Sequence, residues 1–193
     1  MEFQHLGALA LFAFVSTMTP GPNNIMLMSS GAKVGFVRTI PHMLGVSLGF
    51  ALMVVLVGAG LMGVLAAMPQ SQTLLKCLSL AYLCYLALKI ANSDHSKQET
   101  EFQPMTFMAA AGFQWVNPKG WSMALTAVTL YSHGHWQEVG IIAGVFLILN
   151  LPSVSLWAAA GTQLQRWLTT SRRVKGFNLT MAGSLLLSML PMV

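Results

Sequence analysis

Few side chains in this sequence could do chemistry, because most of them stand in apolar surroundings. Lys119, in "FQWVNPKGW", is a cation inside a hydrophobic run, and His42 follows Pro41 at the head of another. Cys77 and Cys84 are seven residues apart in one expected helix, so at ~1.5 Å per residue they lie about 10 Å apart. That is too far for a disulfide, and they read as small core residues. His133 and His135 in "SHGHW" have only Glu138 beside them and read as a solvated loop, not a metal site. No hydroxyl or thiol has a histidine or carboxylate at matching depth, so nucleophilic catalysis has no partners to use. What remains is binding, and the movement of a proton by Lys119 or His42, since histidine titrates near neutrality.

Binding groups come from the backbone as well. Residues 19–24 read "TPGPNN" and residues 117–121 read "NPKGW", each inside an apolar segment that resumes afterwards. Proline has no N–H and clashes with the preceding turn, and glycine adds freedom that a helix must remove. Both segments must therefore be broken helices. Backbone freed from a helix cannot face lipid, where each orphan group costs several kcal/mol, so it must be buried in protein or line a polar cavity. The expected ligand contacts are Thr19, Pro20, Gly21, Pro22, Asn23 and Asn24 in the first break. Gln114, Asn117, Pro118 and Lys119 are expected in the second. Asn150 and Pro152, in "LNLPS", mark a further weak point.

The elements that hold these breaks are set by composition. The 193 residues are 55% hydrophobic and 8% charged, with a mean hydropathy of +0.65. A soluble domain carries about 25% charged residues, so this is an all-α membrane protein. The formal charge of +5 comes from only ten Lys and Arg, scattered apart from a cluster near Arg172, which excludes a nucleic-acid face. No Lys or Arg precedes the first apolar run, so that run reads as a retained helix and not as a signal peptide. Six segments approach the ~20 residues needed to span, at about 6–31, 43–67, 74–91, 106–131, 139–161 and 176–193. Lys33, Arg38, Lys89, Lys97, Arg166, Arg172, Arg173 and Lys175 fall in alternate connections, with only Lys76 in the others. By the positive-inside rule both termini lie on the non-cytoplasmic side.

The polar stretch 92–104 divides the chain into halves of three spans, 1–91 and 105–193, within one transmembrane domain. Each half opens with a broken helix, so the expected architecture is two inverted three-helix repeats with helices one and four broken. Paired interruptions of this kind point to the binding site of secondary transporters. Small-xxx-small pairs, Gly45 with Gly49 and Gly140 with Gly144, are expected to let helices pack closely. Gly-rich spans in so short a chain are compatible with a homodimer.

"MTPGPNNIMLMSS", then "LGVSLGF", then "FQWVNPKGW", resembles the LysE/RhtB family of bacterial amino-acid exporters, over essentially the whole chain. The GPNN form is most similar to the branch that contains cysteine and O-acetylserine exporters. The resemblance implies efflux of amino acids or close derivatives across the bacterial inner membrane, in exchange for protons and without a metal or other cofactor. One position departs. Phe50 stands where many members carry an acidic residue, and no Asp or Glu lies inside any expected span. That favours a neutral substrate and leaves Lys119 and His42 as the candidates for proton coupling. For a zwitterion, N–H groups after Pro22 and Pro118 would meet the carboxylate. Thr19, Asn23, Asn117 and the freed carbonyls would accept from the ammonium.

Overall fold

The computed structural model describes residues 3–61, 69–92 and 103–188, and among these every regular element is helical. The helices are α1 (Phe3–Met18), α2 (Pro22–Gly58), α3 (Pro69–Ala91), α4 (Phe107–Phe113), α5 (Pro118–Tyr131), α6 (Trp136–Gln165) and α7 (Ser171–Leu187). A 3-10 turn, Gln114–Val116, joins α4 to the break before α5. Two of them, α2 and α6, are long and apolar enough to cross a membrane.

α2 is not one straight rod. Gly35 has φ +78° and ψ 174°, a corner that only glycine adopts readily. A Cβ there would meet nothing within 4 Å, so the corner and not crowding requires glycine. Beyond it the chain doubles back. Ser30 Oγ and His42 Nδ1 are 3.3 Å apart, whereas twelve residues of straight helix would separate them by about 18 Å. α2 is therefore a hairpin of two arms, residues 22–34 and 36–58. The second arm reaches about 34 Å at ~1.5 Å per residue, enough for a ~30 Å hydrocarbon core.

This corrects the expected connection between the first two spans. Lys33 and Arg38 lie on the helical arms, and the turn has shrunk to Gly35, because a single left-handed residue reverses the chain where hydropathy suggests a longer loop. α2 stops at Gly58, where Ala59 N–H bonds Val55 O and Gly60 takes φ +93°. Residues 62–67 of the expected span, most of the 92–104 linker and residues 189–193 of the last span lie outside the described residues.

Three apolar cores hold the described helices together, one of them joining Leu27, Val46, Ala110 and Val154, and the other two set the direction of the broken segments. One joins Leu9 and Ala13 of α1, Met53 and Val57 of the second arm, Ala124 of α5 and Phe146 of α6. The other joins Ile25 and Met26 of the first arm, Leu83 and Leu86 of α3, Phe113 of α4 and Phe177 of α7. Thus α1 and α5 share one core, while the first arm and α4 share the other. The two broken segments run antiparallel, with their breaks level between these two cores.

Close backbone contact holds the arrangement. A Cβ on Gly31 would overlap the Ala158 carbonyl, and one on Gly161 would overlap the Met28 carbonyl, so the first arm and α6 touch main chain to main chain. Gly45 and Gly49 also lie too close to α4 for a Cβ, at Phe107 and Ala111. Gly140 and Gly144, expected to do the same, have nothing within 4 Å. At these two positions no neighbouring helix approaches closely enough to require glycine.

Candidate functional site

Each break restarts its helix in the same way. Pro22 and Pro118 are first residues of α2 and α5, where a missing N–H costs nothing and φ is already helical. Proline forces the residue before it toward extended backbone: Gly21 has φ −169° and ψ 178°, and Asn117 φ −94° and ψ 107°. Neither provides a side-chain cap. The first helical bonds are Ile25 N–H to Gly21 O and Trp121 N–H to Asn117 O. The N–H groups of Asn23, Asn24, Lys119 and Gly120 precede them and have no partner within their helices. In the second break the interruption itself lies at 114–117, slightly before the expected "NPKGW". Proline starts a helix here instead of interrupting one.

Both restarts face one cavity of about 380 Å³, counted with its mouth. Gly21, Asn23 and Asn24 line it from one side, and Asn117, Lys119 and Gly120 from the other. Asn117 is buried, and its Oδ1 has no hydrogen-bond partner. Pockets for small molecules are largely apolar with a few placed polar groups. This one fits that description.

The carbonyl end of α1 is closed off by side chains. Asn24 Nδ2 donates to Thr17 O at 2.8 Å and to Thr19 O at 3.0 Å. Ser153 Oγ donates to Thr17 O at 2.8 Å. Lys119 Nζ donates to Thr19 O, linking the second break to the first. The two breaks are also tied by paired amides, Asn23 Nδ2 to Gln114 Oε1 at 2.9 Å and Gln114 Nε2 to Asn23 Oδ1 at 3.3 Å. Gln114 Nε2 donates in addition to Ala110 O at 2.9 Å. Trp121 Nε1 bonds Trp115 O at 2.9 Å, pinning the outer side of the second break.

The residues expected from sequence therefore divide. Gly21, Asn23, Asn24, Asn117 and Lys119 line the cavity. Pro22 and Pro118 shape it, and Gln114 is wholly buried behind Asn23. Thr19 and Pro20 are exposed, and Thr19 contributes its carbonyl to Lys119. His42 is elsewhere, beside Ser30 at a second cavity. Asn150 lines the central cavity, as its place in "LNLPS" suggests, and its Nδ2 reaches Ser47 Oγ at 3.4 Å. Ser16, Thr17, Val46, Gly120 and Met123 also line it, and sequence reasoning misses them. Ser16 and Thr17 carry a signal, being hydroxyls one turn ahead of the break. His133 is exposed and binds Glu138 through its main-chain N–H at 2.7 Å, which secures the start of α6.

The "LysE type translocator" family profile matches residues 14–189. The chain belongs to this family. It is similar to the cysteine/O-acetylserine efflux proteins of Escherichia coli strain K12 and Shigella flexneri serotype 5b strain 8401. Each is 34% identical over 165 residues, covering 83% of this chain and 84% of the relative. No solved structure matches the chain significantly. As a LysE-family protein the chain is a membrane transporter and not an enzyme. At Phe50, the position of the missing acid, this LysE-family chain presents a buried ring to the cavity, edge-on to Phe146 with centroids 5.1 Å apart.

Proposed function

We propose that this protein exports small neutral amino acids or close derivatives from the cytoplasm, by proton-coupled alternating access of two inverted three-helix halves. The observation that carries the reading is the unpaired Oδ1 of Asn117, a residue lining a cavity faced by two uncapped helix starts. An amino acid brings a carboxylate for the N–H groups of Lys119 and Gly120 or Asn23 and Asn24, and an ammonium for the Asn117 oxygen. Lys119 Nζ adds a cation on the carboxylate side. Phe50, Val46 and Met123 offer an apolar wall to an uncharged side chain. The names of the relatives support the substrate class. Antiparallel breaks with proline at the same helix position support the inverted repeat, six spans, and 1–91 and 105–193 as its halves. The distribution of basic residues supports both termini lying outside the cytoplasm in a bacterial inner membrane.

Proteoliposomes loaded with labelled serine, cysteine, O-acetylserine, threonine and lysine, with and without a pH gradient, test this. Saturable efflux of a small neutral amino acid, accelerated by the gradient and lost in Asn117→Ala at normal membrane insertion, is expected. Efflux unchanged in Asn117→Ala would refute the site, and efflux indifferent to the gradient would refute proton coupling. No efflux of any amino acid would refute the substrate class.

A further inference from the structure

A second cavity, about 390 Å³ counted with its open mouth, lies between the two arms of α2, α3 and the segment leading into α4. Ser29, Ser30, His42, Lys89 and Gln103 bring polar groups to it. Two of these are buried with an unpaired atom: Ser29 Oγ, on a residue 2% exposed, and His42 Nε2, on a residue 0% exposed. Burying polar atoms without partners is costly, and a cavity beside both offers a ligand the means to pair them. Ser30 Oγ sits against His42 Nδ1. With the Ser30 hydroxyl donating to Nδ1, the ring proton is on Nε2 and becomes a donor. Ser29 supplies a second donor and Lys89 a positive charge. Lys33, one turn beyond Ser29, lies within electrostatic reach of Lys89. Two hydroxyl or imidazole donors and a cation, with no carboxylate among the described lining residues, select an anion with two acceptor oxygens.

We infer that this second cavity is a carboxylate-binding staging site, which holds the amino acid on the basic side of the protein before it enters the central cavity. His42 and Val46 are four residues apart on the second arm, so they stack on one face. Val46 bounds the central cavity and His42 the second. About 6 Å along the helix separates these two residues. On the first arm Asn23 and Ser30 bound the same two spaces. A substrate passing from one to the other exchanges Ser29 and His42 for Asn117 and the uncapped helix starts. This placement on a path rests on the export reading; the carboxylate site itself does not.

The test uses the full-length protein, labelled with 15N-histidine, in phosphatidylcholine nanodiscs, with the His42 ring signals identified by their loss in His42→Gln. L-serine and acetate should shift the His42 Nε2 signal saturably, and serinol, which lacks the carboxylate, should not. The shift should persist in Asn117→Ala, where the central cavity is disabled. In Ser29→Ala it should need roughly tenfold more ligand, the scale of one lost hydrogen bond to a charged group. The same variant should raise the half-saturating substrate concentration for efflux and keep its maximal rate. A His42 signal unmoved by serine and acetate, or moved equally by serinol, would overturn the inference. So would a shift produced by anionic lipid and not by acetate, which would make a headgroup the ligand. Absence of efflux from the wild type with the His42 response intact would overturn the export reading and leave this site standing.

Discussion

The amide pair between Asn23 and Gln114 is the most direct side-chain tie between the two breaks, and its strength can be measured. Asn23→Ala removes both hydrogen bonds and leaves Gln114 Oε1 without its partner in a wholly buried position, while Gln114 Nε2 keeps Ala110 O. In a soluble core an orphaned buried acceptor costs about 1–3 kcal/mol. Between membrane helices the measured coupling is smaller, averaging about 0.6 kcal/mol with a maximum near 1.7, because unfolded helices in the bilayer find other partners. The pair has one good bond and one long one, so its coupling should lie toward the upper part of that range, about 1–1.7 kcal/mol. The assay is a double-mutant cycle of Asn23→Ala and Gln114→Leu, read by equilibrium unfolding in lipid-detergent micelles. Gln114→Leu removes both partners' interaction without leaving an amide at 114, so the double variant should lose less than the sum of the singles. Independent sites add within about 0.3–0.5 kcal/mol. Additivity within that margin would show that the pair does not tie the breaks together.

Lys119→Met should abolish most export while the protein still inserts, because it removes both the cation at the cavity and the Nζ bond to Thr19 O; unimpaired efflux in proteoliposomes would reduce Lys119 to a bystander. Gly31→Ala and Gly161→Ala should each lower stability by at least about 1–3 kcal/mol, the usual cost of overpacking, since their new methyls meet main-chain carbonyls. Gly140→Ala and Gly144→Ala should stay within about 0.5 kcal/mol of the wild type in the same unfolding assay; a larger loss would mean that another copy covers that face. Phe50→Asp should shift preference from neutral toward cationic amino acids in competition assays with serine and lysine, because it sets a carboxylate on the cavity wall. Unchanged preference would remove Phe50 from the specificity argument.

How much of this is legible in the residues depends on the kind of force involved. The breaks are legible because proline and glycine act locally: Pro22 and Pro118 restrict the backbone wherever they stand. The helical character is legible for a similar reason, since apolar runs in a membrane must satisfy their own backbone. The Gly35 corner is not. A single glycine between apolar neighbours, Val34 and Phe36, carries no mark that its φ will be positive, and only the return of His42 to Ser30 reveals it. The packing glycines are half legible. Gly45 and Gly49 sit against α4, but the same spacing at Gly140 and Gly144 meets nothing, because spacing fixes which residues share a face and not which face finds a neighbour. Local pattern groups His42 with Lys119 as a candidate proton carrier. The hairpin instead gives it a cavity of its own, a consequence of tertiary contact that no local pattern encodes.

The antiparallel placement of the two breaks has an electrostatic consequence that bears on substrate choice. Each helix end carries roughly half an elementary charge, positive at N-termini and negative at C-termini. Four ends meet around the breaks: the starts of α2 and α5, the end of α1, and the end of the α4 and 3-10 segment. Their dipole charges nearly cancel in sum but not in position. The α1 end is already covered by Asn24, Ser153 and Lys119, which satisfy its Thr17 and Thr19 carbonyls. The two starts are uncapped and face the cavity. The space is therefore richer in donors than in acceptors, and the unpaired Asn117 oxygen is an acceptor set among them. A free carboxylate would find donors but leave that oxygen unpaired, and a simple amine would meet the uncapped N–H groups with the wrong sign. A zwitterion answers both ends at once. That complementarity follows from where the prolines start their helices, and it binds the sequence motif to the class of molecule the cavity suits.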